Sequence, residues 1–242
     1  MTFAWNDATR VGFIELSTSI CISAEVPGAL PEGVKPIFTR MRLEGGEVSV
    51  AAIDRMVASD RLEEASRELA DGGAGVLAFA CTTGSLVRGP GFDRELVARM
   101  EGASGVRATT TSTALVAGLQ ALGARSVAVA TPYVDELNDL EAKFLEANGF
   151  EVTALRGLGI GTDPEITRVP YERTRALAHE VAEAGGEPDA VFISCTGLPT
   201  LAILDDLERE LGRPVISSNA VTIWHTLALA GVESPLVHAK VA

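Results

Sequence analysis

Two cysteines of this chain occur in matching settings. Cys81 follows the apolar residues 76–80, Cys195 follows residues 191–194, and each is followed by threonine and then glycine within three residues. A short apolar run is typical of a buried strand, and threonine with glycine is typical of a tight turn. One free cysteine is usually a packing residue. A matched pair instead favours two facing thiols that transfer protons or add to a substrate as thiolates.

The pattern predicts that each cysteine turn leads directly into a helix. The N–H groups and the dipole of a helix N-terminus lower the pKa of a thiol from its ordinary value of about 8.5. We therefore expect Cys81 to be alkylated well below pH 8 and ahead of Cys21. Cys21 has no such context and is predicted to pack in the core.

Hydroxyl-rich turns follow most of the predicted strands. In an open parallel sheet, ligands bind beyond the carboxyl ends of the strands, where turn N–H groups attract anions. A carboxylate suits these turns, and no phosphate-binding glycine–lysine loop is present. Tyr133 follows Pro132 at such a strand end and fits either a substrate-binding phenol or a core side chain. The turns are Ser17-Thr18-Ser19, Thr82-Thr83-Gly84-Ser85, Thr111-Ser112, Thr131-Pro132-Tyr133, Thr196-Gly197 and Ser217-Ser218-Asn219.

Short apolar runs alternate with amphipathic stretches along the chain. Several runs lack polar alternation, as expected for strands that helices cover on both faces. This alternation predicts an α/β protein with parallel sheets. Strands are predicted at residues 10–16, 34–39, 75–80, 108–110, 126–130, 151–155, 190–194 and 214–216. Helices are predicted at residues 49–72, 135–148, 171–184 and 200–211.

The order of these features repeats. An opening strand, a cysteine strand and a hydroxyl-rich turn before a helix recur at nearly constant spacing in the two halves of the chain. We expect two similar doubly wound halves, residues 1–123 with Cys81 and residues 124–242 with Cys195. They would be related by a pseudo-two-fold axis, with the active site in the cleft between them. The C-terminal helix of the second half is expected to pack on the first.

Composition excludes several function classes. The 242 residues carry a net charge of −13, which argues against nucleic acid because phosphates need a basic surface. The apolar runs are too short to span a membrane, and the N-terminus does not resemble a signal peptide. Three cysteines without an export signal predict free thiols in the cytoplasm.

Other motifs give no site. The glycines at 157, 159 and 161 lack the spacing of a dinucleotide-binding fingerprint and predict a loop. The three histidines, His179, His225 and His238, are scattered, so neither a zinc site nor a Ser-His-Asp triad is predicted.

The chain resembles the aspartate/glutamate racemase superfamily, and within it the maleate cis-trans isomerase and arylmalonate decarboxylase branch. The resemblance spans nearly the whole chain. It implies two similar α/β halves, catalysis without a cofactor or metal, and a homodimer. The segments that carry it are Arg10-Val11-Gly12, Thr39-Arg40-Met41-Arg42, Cys81-Thr82-Thr83-Gly84-Ser85, residues 117–123, Ala130-Thr131-Pro132-Tyr133, Ile193-Ser194-Cys195 and residues 214–218.

The resemblance also implies residue roles. Cys81 would be the nucleophile or base, and Cys195 the acid or base on the opposite face of the substrate. Tyr133 would bond a substrate carboxylate, and Ser17 would hold the other end. Backbone N–H groups would hold carboxylate oxygens at Thr82, Thr83, Gly84, Thr196, Gly197 and Leu198.

Three functions follow as alternatives. With both cysteines, the protein would be a cofactor-independent isomerase or racemase of a small carboxylic or dicarboxylic acid. The decarboxylases have glycine at the position of Cys81, so a decarboxylase would use Cys195 alone. A third possibility is a non-catalytic carboxylate-binding protein. Ser19 and Asp163 depart from the isomerase pattern at the far end of the pocket, which points to a substrate other than maleate, such as a monoacid or an amide-bearing acid.

Overall fold

The computed structural model describes residues 7–236 and contains two four-stranded parallel sheets. All eight predicted strands are confirmed, each end within two residues of its expected position, and so is the α/β fold class. The histidine at 238 lies outside the described residues. The strands are β1 (Thr9–Leu16), β2 (Val34–Met41), β3 (Val76–Phe79), β4 (Arg107–Thr110), β5 (Ser126–Thr131), β6 (Glu151–Gly157), β7 (Ala190–Ile193) and β8 (Val215–Ser217).

Helices connect the strands. They are α1 (Cys21–Ala29), α2 (Val50–Val57), α3 (Arg61–Asp71), α4 (Thr82–Leu86), α5 (Phe92–Ser104), α6 (Thr111–Ala121), α7 (Asp135–Ala147), α8 (Asp163–Ile166), α9 (Tyr171–Ala184), α10 (Leu201–Leu211) and α11 (Ser218–Leu229). Between residues 7 and 236, no helix has the length and apolar character needed to cross a membrane.

The single helix predicted at residues 49–72 is wrong, because the chain breaks between α2 and α3. At the break, the Ser59 hydroxyl donates to the Met56 carbonyl oxygen at 2.7 Å. Arg99 donates to the carbonyl oxygens of Val57 at 2.8 Å and Ser59 at 3.1 Å. These bonds satisfy carbonyl groups that a continuous helix would have paired internally.

The two sheets have the same strand order. The first runs β2-β1-β3-β4 and the second β6-β5-β7-β8, so each strand of one half has a counterpart four strands later. Cys81 lies two residues beyond β3, and Cys195 lies two residues beyond the equivalent β7. Because both strands end at the carboxyl edge of a parallel sheet, the repeat places both thiols at ligand-binding edges.

Helices α6 and α11 bring the two halves together. They begin at equivalent points, after β4 and β8, and pack against each other, and α11 also contacts β3, β4 and α1. Thr111 of α6 and Thr222 of α11 share a hydrogen bond of 2.9 Å between their hydroxyl oxygens. The Cβ position of Gly118 lies 3.1 Å from a methyl carbon of Val221, so only a very small residue permits this approach. Through this contact the second half packs against the first.

Gly157 ends β6 against the turn that carries Tyr133. A Cβ at this position would lie 2.3 Å from the Tyr133 carbonyl oxygen and 2.4 Å from Asn138 Nδ2. We expect Gly157→Ala to lower the free energy of unfolding by about 2 kcal/mol or more, because the added methyl must displace the turn. Urea denaturation measures this difference.

Gly161→Ala is the matched control, since a Cβ there meets no atom within 4 Å. Its stability should stay within about 1 kcal/mol of the parent protein. If Gly157→Ala and Gly161→Ala were equally stable, the turn that carries Tyr133 would not require glycine at position 157.

Candidate active site

Both cysteines line one cavity between the two halves. The cavity measures about 10 Å³, which holds at most one water molecule. The site is therefore closed around the thiols, and a substrate requires it to open. The lining residues are Leu16, Leu43, Val48, Ile53, Cys81, Thr82, Thr83, Tyr133, Asp163, Ile166, Cys195 and Thr196.

Cys81 caps the N-terminus of α4. Its Sγ accepts a hydrogen bond from the Gly84 N–H at 3.3 Å and lies 3.9 Å from the Thr83 hydroxyl oxygen. Complete burial nevertheless raises the pKa of the Cys81 thiol to about 12, and the two hydrogen bonds only oppose this rise. The predicted lowering of its pKa is wrong, because burial in a dry cavity outweighs the dipole of a helix only five residues long.

Cys195 occupies a different turn from Cys81. No helix begins there, since α10 starts at Leu201, so the expected turn into a helix is wrong for this cysteine. Its φ of 92° is positive, unlike that of every other non-glycine residue in the described part of the chain. Such backbone strain is concentrated at functional sites. The strained turn lets the Gly197 N–H donate to Cys195 Sγ at 3.3 Å.

The pKa of the Cys195 thiol is also raised. Burial is the main cause, and the negative charge of Asp163 adds to it. Interactions with the Tyr133 hydroxyl and the Gly197 N–H counteract this rise. The closed cavity therefore holds both thiols in their protonated form.

Ser218 joins the two cysteine turns. Its hydroxyl oxygen accepts a hydrogen bond from the Cys195 N–H at 2.9 Å and shares another of 2.8 Å with the Thr82 hydroxyl. A second link runs from the Thr196 hydroxyl to the Ala80 carbonyl oxygen at 3.0 Å. Sequence reasoning placed Ser218 in a hydroxyl-rich turn but assigned it no role. These bonds fix the two thiols relative to each other.

The structure gathers four of the predicted binding residues at the cavity, namely Thr82, Thr83, Tyr133 and Thr196. Three others lie beside it. The Gly84 and Gly197 N–H groups face the two sulfur atoms, and the Leu198 N–H donates to the Cys195 carbonyl oxygen at 3.2 Å. In the closed structure these three N–H groups organise the thiol turns and do not line the space for a ligand.

Ser17 is not brought into the cavity. It is exposed, and its hydroxyl accepts a hydrogen bond from the Leu43 N–H at 3.3 Å. The next residue, Thr18, instead points inward and donates to Asp163 Oδ2 at 2.6 Å. Asp163 was noted in the sequence as a departure, and the structure places its carboxyl group on the cavity wall beside both thiols.

Two segments close the cavity, residues 43–48 from the first half and residues 161–166 from the second. The Val48 N–H donates to the Gly161 carbonyl oxygen at 2.9 Å, and Glu47 pairs with Thr162 in an antiparallel bridge. The Cβ position of Gly46 lies 2.8 Å from Pro164 Cδ. We call residues 43–48 and 161–166 the closing segments, since they pair with each other and both contribute to the cavity lining.

Glu141 is a buried carboxyl group behind the Cys195 turn. Its Oε1 accepts a hydrogen bond from the Ser194 hydroxyl at 2.6 Å, while Oε2 has no hydrogen-bond partner among the described residues. Burial raises the pKa of Glu141 to about 7. The sequence does not indicate that Glu141 is buried, because a single acidic residue on a helix such as α7 is normally solvated.

The site's side chains do not form a metal centre. Throughout residues 7–236, no group of three or more histidine, cysteine, aspartate or glutamate side chains could hold a metal ion. His225 shares a hydrogen bond of 2.8 Å with the Thr109 hydroxyl, and His179 pairs with Glu210 at the surface. Both histidines thus have structural partners away from the cavity.

The raised thiol pKa values predict slow alkylation of the unliganded protein. At pH 8, iodoacetamide should modify Cys81, Cys195 and Cys21 at least about 100-fold more slowly than in urea, because buried thiols with strongly raised pKa values supply little thiolate. Mass spectrometry of each cysteine peptide measures the rates. Native labelling of Cys81 at the unfolded rate would instead support activation by the helix.

The raised pKa of Glu141 predicts a pH-dependent loss of stability. The folded protein retains this proton to about pH 7, whereas the unfolded chain releases it near pH 4.5, so its contribution falls across that range. We expect Glu141→Gln to gain roughly 2–3 kcal/mol relative to the parent between pH 5 and pH 8. Denaturation curves at both pH values test this, with the exposed Glu146→Gln on the same helix as control. Parallel pH profiles for all three proteins would contradict the assignment.

Comparison with known proteins identifies the family. A family model described as arylmalonate decarboxylase matches residues 26–240. The arylmalonate decarboxylase of Bordetella bronchiseptica is 37% identical over 186 residues, covering 77% of each chain. The maleate isomerase of Nocardia farcinica is 32% identical over 217 residues, covering 86% of this chain and 85% of the relative.

Solved structures agree with these relatives. A double mutant of arylmalonate decarboxylase in its liganded form superimposes with a TM-score of 0.86 at 32% identity, covering 94% of both chains. A cysteine-to-serine mutant of the Nocardia farcinica maleate cis-trans isomerase, which carries a covalently bound succinylcysteine intermediate, gives a TM-score of 0.86 at 28% identity. It covers 93% of this chain and 94% of the isomerase. The resemblance expected from the sequence is confirmed: the chain belongs to the arylmalonate decarboxylase family.

Proposed function

We propose that the protein is a cofactor-independent isomerase or racemase that acts on a small carboxylic acid with two cysteines. The observation that carries this proposal is the presence of Cys81 and Cys195 in one closed cavity, at equivalent positions of two matching sheets. The likeness to maleate isomerases, one of them solved with a succinylcysteine, supports a reacting thiol.

A substrate carboxylate would bind between the two cysteine turns. Thr82, Thr83, Thr196 and Tyr133 line this space. The hydroxyl groups of Thr83 and Tyr133 would donate to the carboxylate, whereas those of Thr82 and Thr196 already bond to Ser218 and to the Ala80 carbonyl oxygen. At the start of α4, the Thr82 and Thr83 N–H groups have no acceptor within their own helix and would donate to the anion, whereas the Gly84 N–H is bonded to Cys81 Sγ. These donors would stabilise the enolate-like charge of a transition state more strongly than the ground state.

Two reactions fit this arrangement. In a racemisation, one cysteine thiolate removes the α-proton to leave an enediolate, and the other thiol returns a proton to the opposite face. In a cis-trans isomerisation, the Cys81 thiolate adds to the double bond, and the Cys195 thiol protonates the enediolate carbon that this leaves. The central carbon–carbon bond rotates, the Cys195 thiolate takes the proton back, and elimination restores the Cys81 thiolate and the alkene. Both reactions need one thiolate and one thiol at the start.

The closing segments would control when the thiolate forms. Burial raises the pKa of Cys81 to about 12 while the cavity is closed. Separation of residues 43–48 from residues 161–166 lets water reach the thiol and brings its pKa back towards the ordinary value. Deprotonation in the open state, followed by closure over the bound acid, supplies the reactive pair.

A decarboxylase that uses Cys195 alone is the second candidate, and the arylmalonate decarboxylase relative favours it. In that reaction, loss of carbon dioxide leaves an enediolate that one thiol protonates. The site carries Cys81 as a second thiol on the same cavity, which that reaction does not need. A carboxylate-binding protein without turnover is the third candidate.

We also propose that the chain divides between residues 123 and 124 into two halves, each with one sheet and one cysteine, and that it functions as a homodimer in the cytoplasm. The strand order supports the division. The family resemblance supports the dimer. Three free cysteines among residues 7–236 support a reducing compartment.

Hydrogen exchange in D₂O tests the two-thiol chemistry. The parent protein, Cys81→Ser and Cys195→Ser are incubated with a panel of small mono- and dicarboxylic acids and amino acids, and deuterium incorporation and isomerisation are followed by NMR. We expect turnover of at least one acid that falls by about 10³-fold or more in each variant, since a serine hydroxyl is a far poorer nucleophile and base at neutral pH.

Cys21→Ser is the matched control. Cys21 lies off the cavity wall, and its Sγ donates to the Gly197 carbonyl oxygen at 2.9 Å, a bond that serine can keep. Its activity should stay within a few-fold of the parent. Release of carbon dioxide that survives Cys81→Ser would favour the decarboxylase, and ligand-induced thermal stabilisation without any turnover would favour the binding protein.

A further inference from the structure

Asp163 places a carboxyl group on the wall of the thiol cavity. It is only 3% exposed and begins the short helix α8 in one of the closing segments. Thr18, from the other half, donates to its Oδ2 at 2.6 Å. A carboxylate accepts about four hydrogen bonds, so this side chain has acceptor capacity left for a ligand.

The surroundings of Asp163 contain little positive charge. Among the described residues that line the cavity there is no lysine, arginine or histidine. Arg40, which contacts the loop of Thr18, donates to the Ser19 carbonyl oxygen at 3.3 Å and forms an ion pair with Glu15 at 2.8 Å. The carboxyl group on the wall is therefore balanced by hydrogen bonding and not by a cation.

The ionised carboxylate of Asp163, which only accepts hydrogen bonds, suits the bond that Thr18 donates to it. Burial raises the pKa of Asp163 above its ordinary value, and the Thr18 hydrogen bond opposes that rise. The same charge raises the pKa of both Cys81 and Cys195. A ligand that donates a hydrogen bond to Asp163 removes the cost of this buried charge, whereas an anionic group increases it.

We propose that Asp163 makes the site prefer certain small monocarboxylic acids to dicarboxylic acids, and this proposal rests on the proposed function. The preferred acids carry a non-anionic hydrogen-bond donor, such as an amide or ammonium group, at their second end. The first carboxylate is held at the cysteine turns by hydroxyl and N–H donors. The second end meets Asp163 when the closing segments come together. A second carboxylate there would face a buried like charge with no cation between them.

Succinamate and succinate provide a matched pair of probes, because they differ only in one amide against one carboxylate and contain no double bond to isomerise. Isothermal titration at pH 7.5 measures the affinity of both acids for the parent protein, Asp163→Asn and Thr18→Val. We expect the parent to bind succinamate at least about tenfold more tightly than succinate. Asp163→Asn should shift this ratio by about tenfold or more towards succinate, since it removes the charge at nearly constant shape.

Thr18→Val is the control for the hydrogen bond, because it leaves the carboxyl group at 163. It should keep the preference of the parent for succinamate. Equal affinity of the parent for both acids, or an unchanged ratio in Asp163→Asn, overturns the proposal, and so does binding of neither acid. The parent ratio decides the matter even where a variant fails to fold.

These outcomes are separable from failure of the proposed function. The titrations report binding without turnover, whereas the two-thiol chemistry is read from deuterium exchange in the cysteine variants. Deuterium exchange could require both cysteines while the two probes bind equally well. That result would overturn the role of Asp163 but would still support an isomerase or racemase.

Discussion

The hydrogen bonds of the Ser218 hydroxyl are the interaction on which the arrangement of the site depends. This oxygen accepts from the Cys195 N–H and is bonded to the Thr82 hydroxyl, so it connects the turn after β7 with the turn after β3. Loss of one such partner would leave a buried polar group unsatisfied, at a cost of about 1–3 kcal/mol. The positive φ of Cys195 is maintained within this bonded frame. The duplicated fold supplies two thiols, and Ser218 sets their relative position.

Burial is the second constraint, and it acts against reactivity in the resting protein. Cys81, Cys195 and Asp163 line a cavity of only about 10 Å³, and no basic side chain is among its described lining residues. Burial raises the pKa of all three groups, and the negative charge of Asp163 raises the pKa of both thiols further. Chemistry then depends on opening and closing, because the same dry enclosure that suppresses thiolate formation also strengthens hydrogen bonds to an enolate once it has formed.

The fold and the cysteine pair could be predicted from the sequence because their signals are local. Buried parallel strands are continuous apolar runs, and the repeat of Cys-Thr with glycine marks equivalent strand ends. The break between α2 and α3 could not be predicted, since the bonds from Arg99 that stabilise it come from α5. The pKa of each thiol could not be predicted from the sequence either, because the pKa depends on how completely the other half of the chain buries that thiol.

The positions of Ser17 and Asp163 in the site also could not be predicted from local sequence patterns. Adjacent residues on a loop can point in opposite directions, and the structure turns Ser17 to solvent and Thr18 towards Asp163, which lies 145 residues away in sequence. The Glu141 carboxyl group behind Ser194 is a comparable case, since no spacing rule links α7 to the end of β7. Such pairs arise from tertiary packing and carry no local pattern.

We propose that Cys81 and Cys195 act on opposite faces of one bound acid. A crystal structure of Cys195→Ser, soaked with an acid that the parent protein turns over, tests it most directly. We expect the reacting carbon to lie between residue 81 and residue 195, with its carboxylate on the Thr82, Thr83 and Thr196 turns, or to be bonded covalently to Cys81 Sγ. An acid bound outside this cavity, or with both side chains on the same face of the reacting carbon, would contradict it.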